Sequence, residues 1–258
     1  MGQTTAVKIQ IQDRIAQIIL NRPEKLNAIN NDLKKGLGAA LDRIAEDDSI
    51  RVVILRGQGK AFCAGGDLGS IKNQENMGRP QDLEYSQAIL QRILNLEQVV
   101  ISAVHGFAVG AGCNLAMAAD LVYAARGTKF GQAFVKVGLV PDWGGMYLLP
   151  TLAGVRKAKE WFLFGERFDA QEAQAYGLVN QVFEPEELLE KVMERAMKLA
   201  AGPQQAIRMA KRIVDQVRPQ GLQAVFTAEV DAFTQCMHSE DFAEGLAAFA
   251  EKRAPVFK

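Results

Sequence analysis

Histidine is almost missing from this chain: only His105 and His238 occur among 258 residues. Neither has a partner at metal-ligand spacing, which argues against a Cys/His zinc site. His105 reads as a structural residue rather than a base. Cysteine is also sparse. Cys63, Cys113 and Cys236 are an odd number with no close pair, which argues against a disulfide framework and for a reducing compartment. Cys63 and Cys113 sit in small-residue loops, where packing is the plain role. No run of about 18 apolar residues is present, so no membrane-spanning helix is expected. The opening MGQTTAVKIQ lacks the apolar core of a secretory signal, and Ala6 stands where a myristoylation motif wants Ser or Thr. A cytoplasmic location is therefore expected. Excess charge is lacking too: 30 Lys and Arg balance 30 Asp and Glu, so no global field draws in nucleic acid or an anionic membrane. There is no G-x-S-x-G elbow and no Walker lysine motif, and GFAVGAG (106–112) does not fit the dinucleotide glycine pattern.

What is present is an ordinary globular composition, 48% hydrophobic and 23% charged. It suits one large domain or two small ones, with enough chain to build a core without disulfides or metal. Val7–Ile11 and Ile15–Leu20 read as paired strands with a turn at Gln12–Arg14. Asn30–Asp47 reads as an amphipathic helix, with Asn30 or Asn31 as its cap. Val52–Arg56, Val99–Val104 and Asp120–Ala124 read as buried strands. Helices are expected at 83–95 and 112–119, with an irregular loop over 72–83 and a loop with a short helix over 130–145. From residue 154 onward the pattern is helical: 154–164, 169–176, 185–201, 203–217, 220–236 and 239–252. Strand–helix alternation followed by helices predicts an α/β fold with parallel strands and a helical C-terminal part. No linker or fixed-period repeat is visible.

Two loops follow apolar strands and are rich in Ala and Gly: AFCAGGDL (61–68) and GFAVGAGCNLAMAAD (106–120). Small residues let a ligand approach the main chain, and a helix start presents free N–H groups. Converging, the loops could hold one carbonyl oxygen between two backbone donors, an oxyanion hole. Spacing alone equally allows plain strand–helix turns.

NRPEKLNAI (21–29), GKAFCAGGDL (59–68), AVHGFAVGAGCNLAMAADL (103–121) and FGQAFVKVGLVPDWGG (130–145), with the ending FAEKRAPVF (249–257), resemble the crotonase (enoyl-CoA hydratase/isomerase) family in order and spacing. The resemblance implies a spiral of ββα repeats over residues 1–200 and a helical trimerisation region over 201–258, in one continuous catalytic domain. It implies trimers, often paired into hexamers, and an acyl-CoA thioester substrate. Coenzyme A enters as part of that substrate, with no separate cofactor and no metal. By position, Gly66 and Ala111 would supply the oxyanion N–H groups. Lys25, Leu26 and Ala28 resemble the segment lining the CoA site, and Ala64, Asp67 and Leu68 fall where the family grips adenine and pantetheine. Lys252 corresponds to a phosphate contact, with a solvated helix charge as the alternative.

The chain departs from a typical hydratase of that family, which positions water between two glutamates. Those positions are Asn114 and Phe134 here, and neither side chain serves as an acid or base near neutral pH. Asp142, eight residues beyond Phe134, stands where dienoyl-CoA isomerases and 1,2-epoxyphenylacetyl-CoA isomerases carry a catalytic Asp. FVKVGLVPDWGGMYLLP (134–150) is most like that isomerase branch. The implied mechanism uses Asp142 as both base and acid, with Phe134 and Trp143 desolvating it. Without the resemblance, Asp142 reads equally as a helix cap. Asn114 is expected to orient substrate or a water, or to be a cap or helix-surface residue.

A hydratase with rearranged acid–base residues is the main competing expectation. A silent CoA-binding scaffold is another. Arg208, Lys211, Arg212 and Arg218 form a basic stripe of the kind an RNA-binding relative would use, but such stripes are usually solvated faces. No nucleic-acid or membrane partner is expected.

Overall fold

The computed structural model describes residues 6–67, 69 and 80–257. Its larger sheet has six strands: β1 (Val7–Gln12), β2 (Ile15–Leu20), β3 (Val52–Gly57), β4 (Val99–Val104), β6 (Leu121–Ala125) and β9 (Gln181–Phe183), side by side in that order. β1 and β2 form an antiparallel hairpin, and every later neighbour pairs in parallel. The hairpin turns at Asp13 and Arg14, both in the left-handed region at φ 50 and 66, as a two-residue hairpin of matching twist demands. A smaller sheet holds β5 (Phe107–Val109), β7 (Lys129–Gly131) and β8 (Arg167–Asp169). Single bridges between Ile29 and Gly66, and between Cys63 and Ala108, extend its pattern. The chain therefore winds as a spiral. Each turn gives one segment to the large sheet and the next segment to a second row beside it.

The helices are α1 (Asn31–Ala45), α2 (Pro80–Leu94), α3 (Ala111–Met117), α4 (Gly145–Ala153), α5 (Val155–Phe164), α6 (Ala170–Ala175), α7 (Leu188–Ala200), α8 (Gln204–Arg212), α9 (Leu222–Met237) and α10 (Glu240–Glu251). In α1, Asn30 caps the start by accepting the Leu33 N–H at 3.0 Å. Leu33, Leu37, Leu41 and Ile44 form its buried stripe, the spacing of a helix that packs on one face. They belong to one apolar cluster with Val53 and Leu55 of β3 and Val100 and Val104 of β4. The alternate residues, Val52, Ile54, Val99 and Ile101, pack on the other face against Leu188, Val192 and Ala196 of α7. A strand covered on both faces must be apolar throughout, which is why β3 and β4 read as unbroken hydrophobic runs.

The expected α/β class, parallel strands and helical C-terminal part are all present. In the 130–145 stretch the 3-10 turn at Ala133–Val137 fits the expected short helix, whereas β7 stands where loop was expected. Three differences stand out. Helix α4 was not expected, because Pro150 lies inside it; burial of Leu148 and Leu149 outweighs the lost hydrogen bond. The strands β5, β7, β8 and β9 have three residues each, too few for a period to show. The single helix expected over 203–217 is instead α8 followed by a π-helical turn at Ile213–Val217. Most of the loop expected at 72–83 lies outside the described residues. Among the described residues, no helix is long and apolar enough to cross a membrane.

Candidate active site

The 61–67 loop is held from two sides. Its Cys63 N–H donates to the Phe107 carbonyl at 2.9 Å, and the Val109 N–H returns to the Cys63 carbonyl at 3.1 Å. On the other side the Ala64 N–H donates to the Leu26 carbonyl, and the Asp67 N–H to the Ile29 carbonyl at 2.9 Å. The Ile29 N–H donates to the Gly65 carbonyl at 2.7 Å. This ladder uses both neighbours of Gly66 and turns the Gly66 N–H away from Ile29. Ala111 opens α3, where a first-turn N–H has no acceptor within the helix. Among the described residues, no bond occupies either N–H.

The two loops lie close. A Cβ added at Gly65 would stand 2.7 Å from the Val109 carbonyl oxygen and 4.0 Å from the Ala111 nitrogen. One added at Gly112 would stand 2.4 Å from the Cys63 carbonyl oxygen. Glycine at these points is what lets the loops converge. The ring of Phe134, half-buried, lies 3.5 Å from where a Gly110 Cβ would sit. Phe134 thus covers the start of α3.

Asp142 lies between the 3-10 turn and α4. One carboxyl oxygen, Oδ1, is buried with no hydrogen-bond partner among the described residues. Burial pushes its pKa up to about 6, against smaller opposing pulls from its own backbone and from Lys34 of α1. The next residue, Trp143, is 3% exposed and sits at φ 46, with Gly144 at φ 65. A bulky residue is seldom left-handed, so this turn is held by its surroundings. The Asp142 carbonyl accepts the Asn114 Nδ2–H at 2.7 Å and the Gly145 N–H at 3.0 Å. Asn114 is fully buried, and its Oδ1 accepts from Gln132 at 2.8 Å. Its amide is therefore engaged by protein at both ends, and not by a surface as a cap would be.

The other expected residues are spread around this centre. Leu26 and Ala28 are half-buried and Lys25 is exposed. Asp67 pairs with Arg22 at 2.9 Å, both largely buried. Leu68 lies outside the described residues. Lys252 ends α10 in a left-handed conformation at φ 55, exposed. Arg22, Gln132 and Lys34 were not foreseen, and Asn27 entered only as part of the Lys25–Ala28 segment. Asn27 is fully buried at φ 57, donates to the Gln58 and Ala61 carbonyls at 3.0 and 2.8 Å, and accepts the Arg22 N–H. An Asn next to a turn, which tolerates the left-handed region, was the available signal.

Other candidates recede. The Cys63 and Cys113 thiols are buried and pushed up to about 12 by desolvation, so they are inert packing groups. His105 bonds the Gly59 carbonyl at 2.9 Å, and burial lowers its pKa. In the basic stripe, Arg208 pairs with Glu97 at 3.1 Å and Lys211 with Asp120 at 2.7 Å. The Arg218 side chain lies outside the described residues.

A spiral of parallel strands that brings two small-residue loops together near a buried carboxyl defines a class of α/β enzyme whose site is lined by main chain. Residues 10–258 match the model of the family described as enoyl-CoA hydratase/isomerase, and the chain belongs to that family, the crotonases. It is 36% identical to the 1,2-epoxyphenylacetyl-CoA isomerase of Escherichia coli, over 96% of both chains. It is 35% identical to the crotonyl-CoA hydratase of Syntrophomonas wolfei, again over 96% of both. A crystal structure of an enoyl-CoA hydratase from Bacillus anthracis superposes with a TM-score of 0.93 at 34% identity, covering 98% of this chain and 99% of that one. Relatives with isomerase names and with hydratase names thus stand at nearly equal distance.

Proposed function

We propose that this chain is an isomerase of acyl-CoA thioesters, shifting a double bond through an enolate. The observation that carries the reading is Asp142: a carboxyl with one oxygen buried and without a hydrogen-bond partner among the described residues, and a pKa pushed to about 6, in a site where the two hydratase glutamate positions are Asn114 and Phe134. A group that must take a proton and return it works best with a pKa near the working pH.

In the forward direction, Asp142 removes a proton from the carbon next to the thioester carbonyl of a 3-enoyl-CoA. The electron pair moves onto the carbonyl oxygen, which the Gly66 and Ala111 N–H groups receive. The enolate collapses, and protonated Asp142 delivers the same proton at the far carbon, giving the 2-enoyl-CoA. Two converging backbone donors stabilise charge where it develops, and each contributes about 3–4 kcal/mol of barrier lowering in comparable sites. Phe134 and Trp143 shield most of the carboxyl from water. With an epoxide as substrate, the same removal and return of a proton by Asp142 would accompany expansion of the strained ring. Lys25, Leu26, Ala28, Ala64, Asp67 and Leu68 would line the coenzyme A portion, with Lys252 reaching a phosphate. Residues 201–258 would hold copies together as a trimer or hexamer.

The competing reading is a hydratase, which some relatives are named. Purified enzyme assayed with a 3-enoyl-CoA and a 2-enoyl-CoA in parallel separates the two. Conversion of the 3-enoyl substrate, lost by 100-fold or more (on the order of a missing acid–base group) in Asp142→Asn, is the expected result. Brisk hydration of the 2-enoyl substrate, unchanged in Asp142→Asn, would overturn the reading.

A further inference from the structure

Asn114 and Gln132 are both fully buried and bonded to each other, Gln132 Nε2–H to Asn114 Oδ1 at 2.8 Å. Receiving that bond fixes which way the Asn114 amide faces, and its Nδ2–H is thereby aimed at the Asp142 carbonyl, 2.7 Å away. The two residues come from segments that main-chain bonds also join, and the buried Cys113 thiol of α3 interacts with Gln132 and Gly131 as well. Asn114 rides on the first turn of α3, its N–H bonded to the Gly110 carbonyl. Gln132 follows β7, whose Gly131 carbonyl receives the Gly110 N–H at 2.8 Å. On the far side, a Cβ at Gly145 would lie 2.3–2.6 Å from the Nδ2, Cγ and Oδ1 atoms of Asn114. The start of α4 is thus seated directly on the amide.

We infer that Asn114 and Gln132 form a buried amide clamp that fixes the Asp142 segment against the first turn of α3, making Asn114 a positioning residue for the proton transfer rather than a group that touches substrate. The inference rests on the isomerase reading, which makes Asp142 the base. Two features favour a positioning task over simple packing. The Gln132 Oε1 is itself buried with no hydrogen-bond partner among the described residues, so the pair does not minimise unmet polar atoms, and an apolar pair would fill the space without that loss. The clamp also grips the peptide just before Trp143, whose left-handed φ of 46 needs an outside anchor. The chemistry selects an amide, because an ionised carboxylate at position 114 has no proton to give to a carbonyl.

The test is a pH–rate profile with a 3-enoyl-CoA, resolving kcat from KM, on wild type, Asn114→Ala and Gln132→Met. Lys34 is the cation acting on Asp142, and it is untouched in all three. For Asn114→Ala, kcat should fall by 10- to 100-fold, on the order of a misplacement of about 1 Å, with KM within about threefold. The acid limb, expected near pH 6 in wild type from the raised Asp142 pKa, should move down by about one unit as the loosened carboxyl regains water. Gln132→Met should shift the same way by less. If Asn114→Ala does not fold, Gln132→Met and Asn114→Leu carry the test, the latter losing the donor while keeping a similar branched shape and adding no charge. An acid limb that stays put in every folded variant, with kcat scaled equally at all pH values or unchanged, overturns the clamp. If Asp142→Asn is inactive in the same assay, the isomerase reading survives that result; wild-type rate in Asp142→Asn overturns both together.

Discussion

Asp142 is pulled in two directions. Burial favours its neutral form, while the field of Lys34 and its own backbone favour the charged one. Burial prevails, and stability is linked to that outcome. The folded-state pKa is about 6, against an ordinary value of about 4 in the unfolded chain. Between those values the folded chain keeps a proton that the unfolded chain has released. Stability contributed by this group therefore falls as pH rises through that window and levels off above about 6. A two-unit shift corresponds to about 3 kcal/mol, which we discount to about 1 kcal/mol because water still reaches part of the carboxyl. Asp142→Asn should thus melt about 2–4 °C above wild type at pH 8, with the gain shrinking toward pH 4. Calorimetry at the two pH values checks this, and a gain that is equal at both would show that burial of charge is not the cause. Asp142 was singled out in the sequence only through the resemblance of its PDWGG turn to the isomerase branch; the residue pattern alone left it equally a helix cap. Lys34, Arg22 and Gln132 were not legible, because each acts across a distance that only the folded chain closes. Arg22 and Asp67, for example, are 45 residues apart along the chain.

In the proposed site the short helix α3 supplies one of the two backbone donors, and its start depends on one residue without a side chain. Gly112 lies where a Cβ would meet the Cys63 carbonyl oxygen at 2.4 Å and the Cys63 side chain at 2.8 Å. Backbone sits on one side and a buried thiol on the other, so neither can yield cheaply. Gly112→Ala should push α3 away from the 61–67 loop and separate the Gly66 and Ala111 N–H groups. We expect a loss of about 100-fold in kcat, the order seen for one missing oxyanion donor, and a loss of about 1–3 kcal/mol in stability from overpacking. Steady-state kinetics and chemical denaturation measure the two, and an active variant would mean that the loops need not touch. The glycines and alanines of this loop stood out in the sequence, and so did the long elements. Helix α1 showed its buried stripe and its Asn30 cap, and β3 and β4 showed unbroken apolar runs. What escaped were the three-residue strands of the second row and α4, whose Pro150 interrupts the helical pattern. Those elements form through pairing with segments that are distant in sequence, and they leave no local period.

The surface of a single chain is left with unusual apolar exposure. On α9, Val230 and Phe233 are 66% and 68% exposed, and on α10 and beyond, Leu246, Phe249 and Val256 are 56%, 86% and 75% exposed. Val230 and Phe233 are three apart, so they share one helix face. The end of this region is itself built firmly. Arg253 forks onto Glu244 at 2.6 and 2.9 Å, and the Val256 N–H bonds the same carboxylate at 2.7 Å. Hydrogen bonding from Arg253 holds Glu244 down to about 2, so the clasp persists at any pH at which the enzyme would be assayed. Patches of large apolar side chains presented to water are rare on monomers, and we predict that this face is an interface. Copies of this chain should therefore cover it in solution. Sedimentation equilibrium at micromolar concentration should give three or six times the chain mass of 28.2 kDa. The double variant Val230→Glu with Phe233→Glu should shift that mass toward smaller species, because a charge buried without a partner in an apolar contact costs several kcal/mol. A wild-type protein that sediments as a single chain would place the reason for these exposed side chains elsewhere.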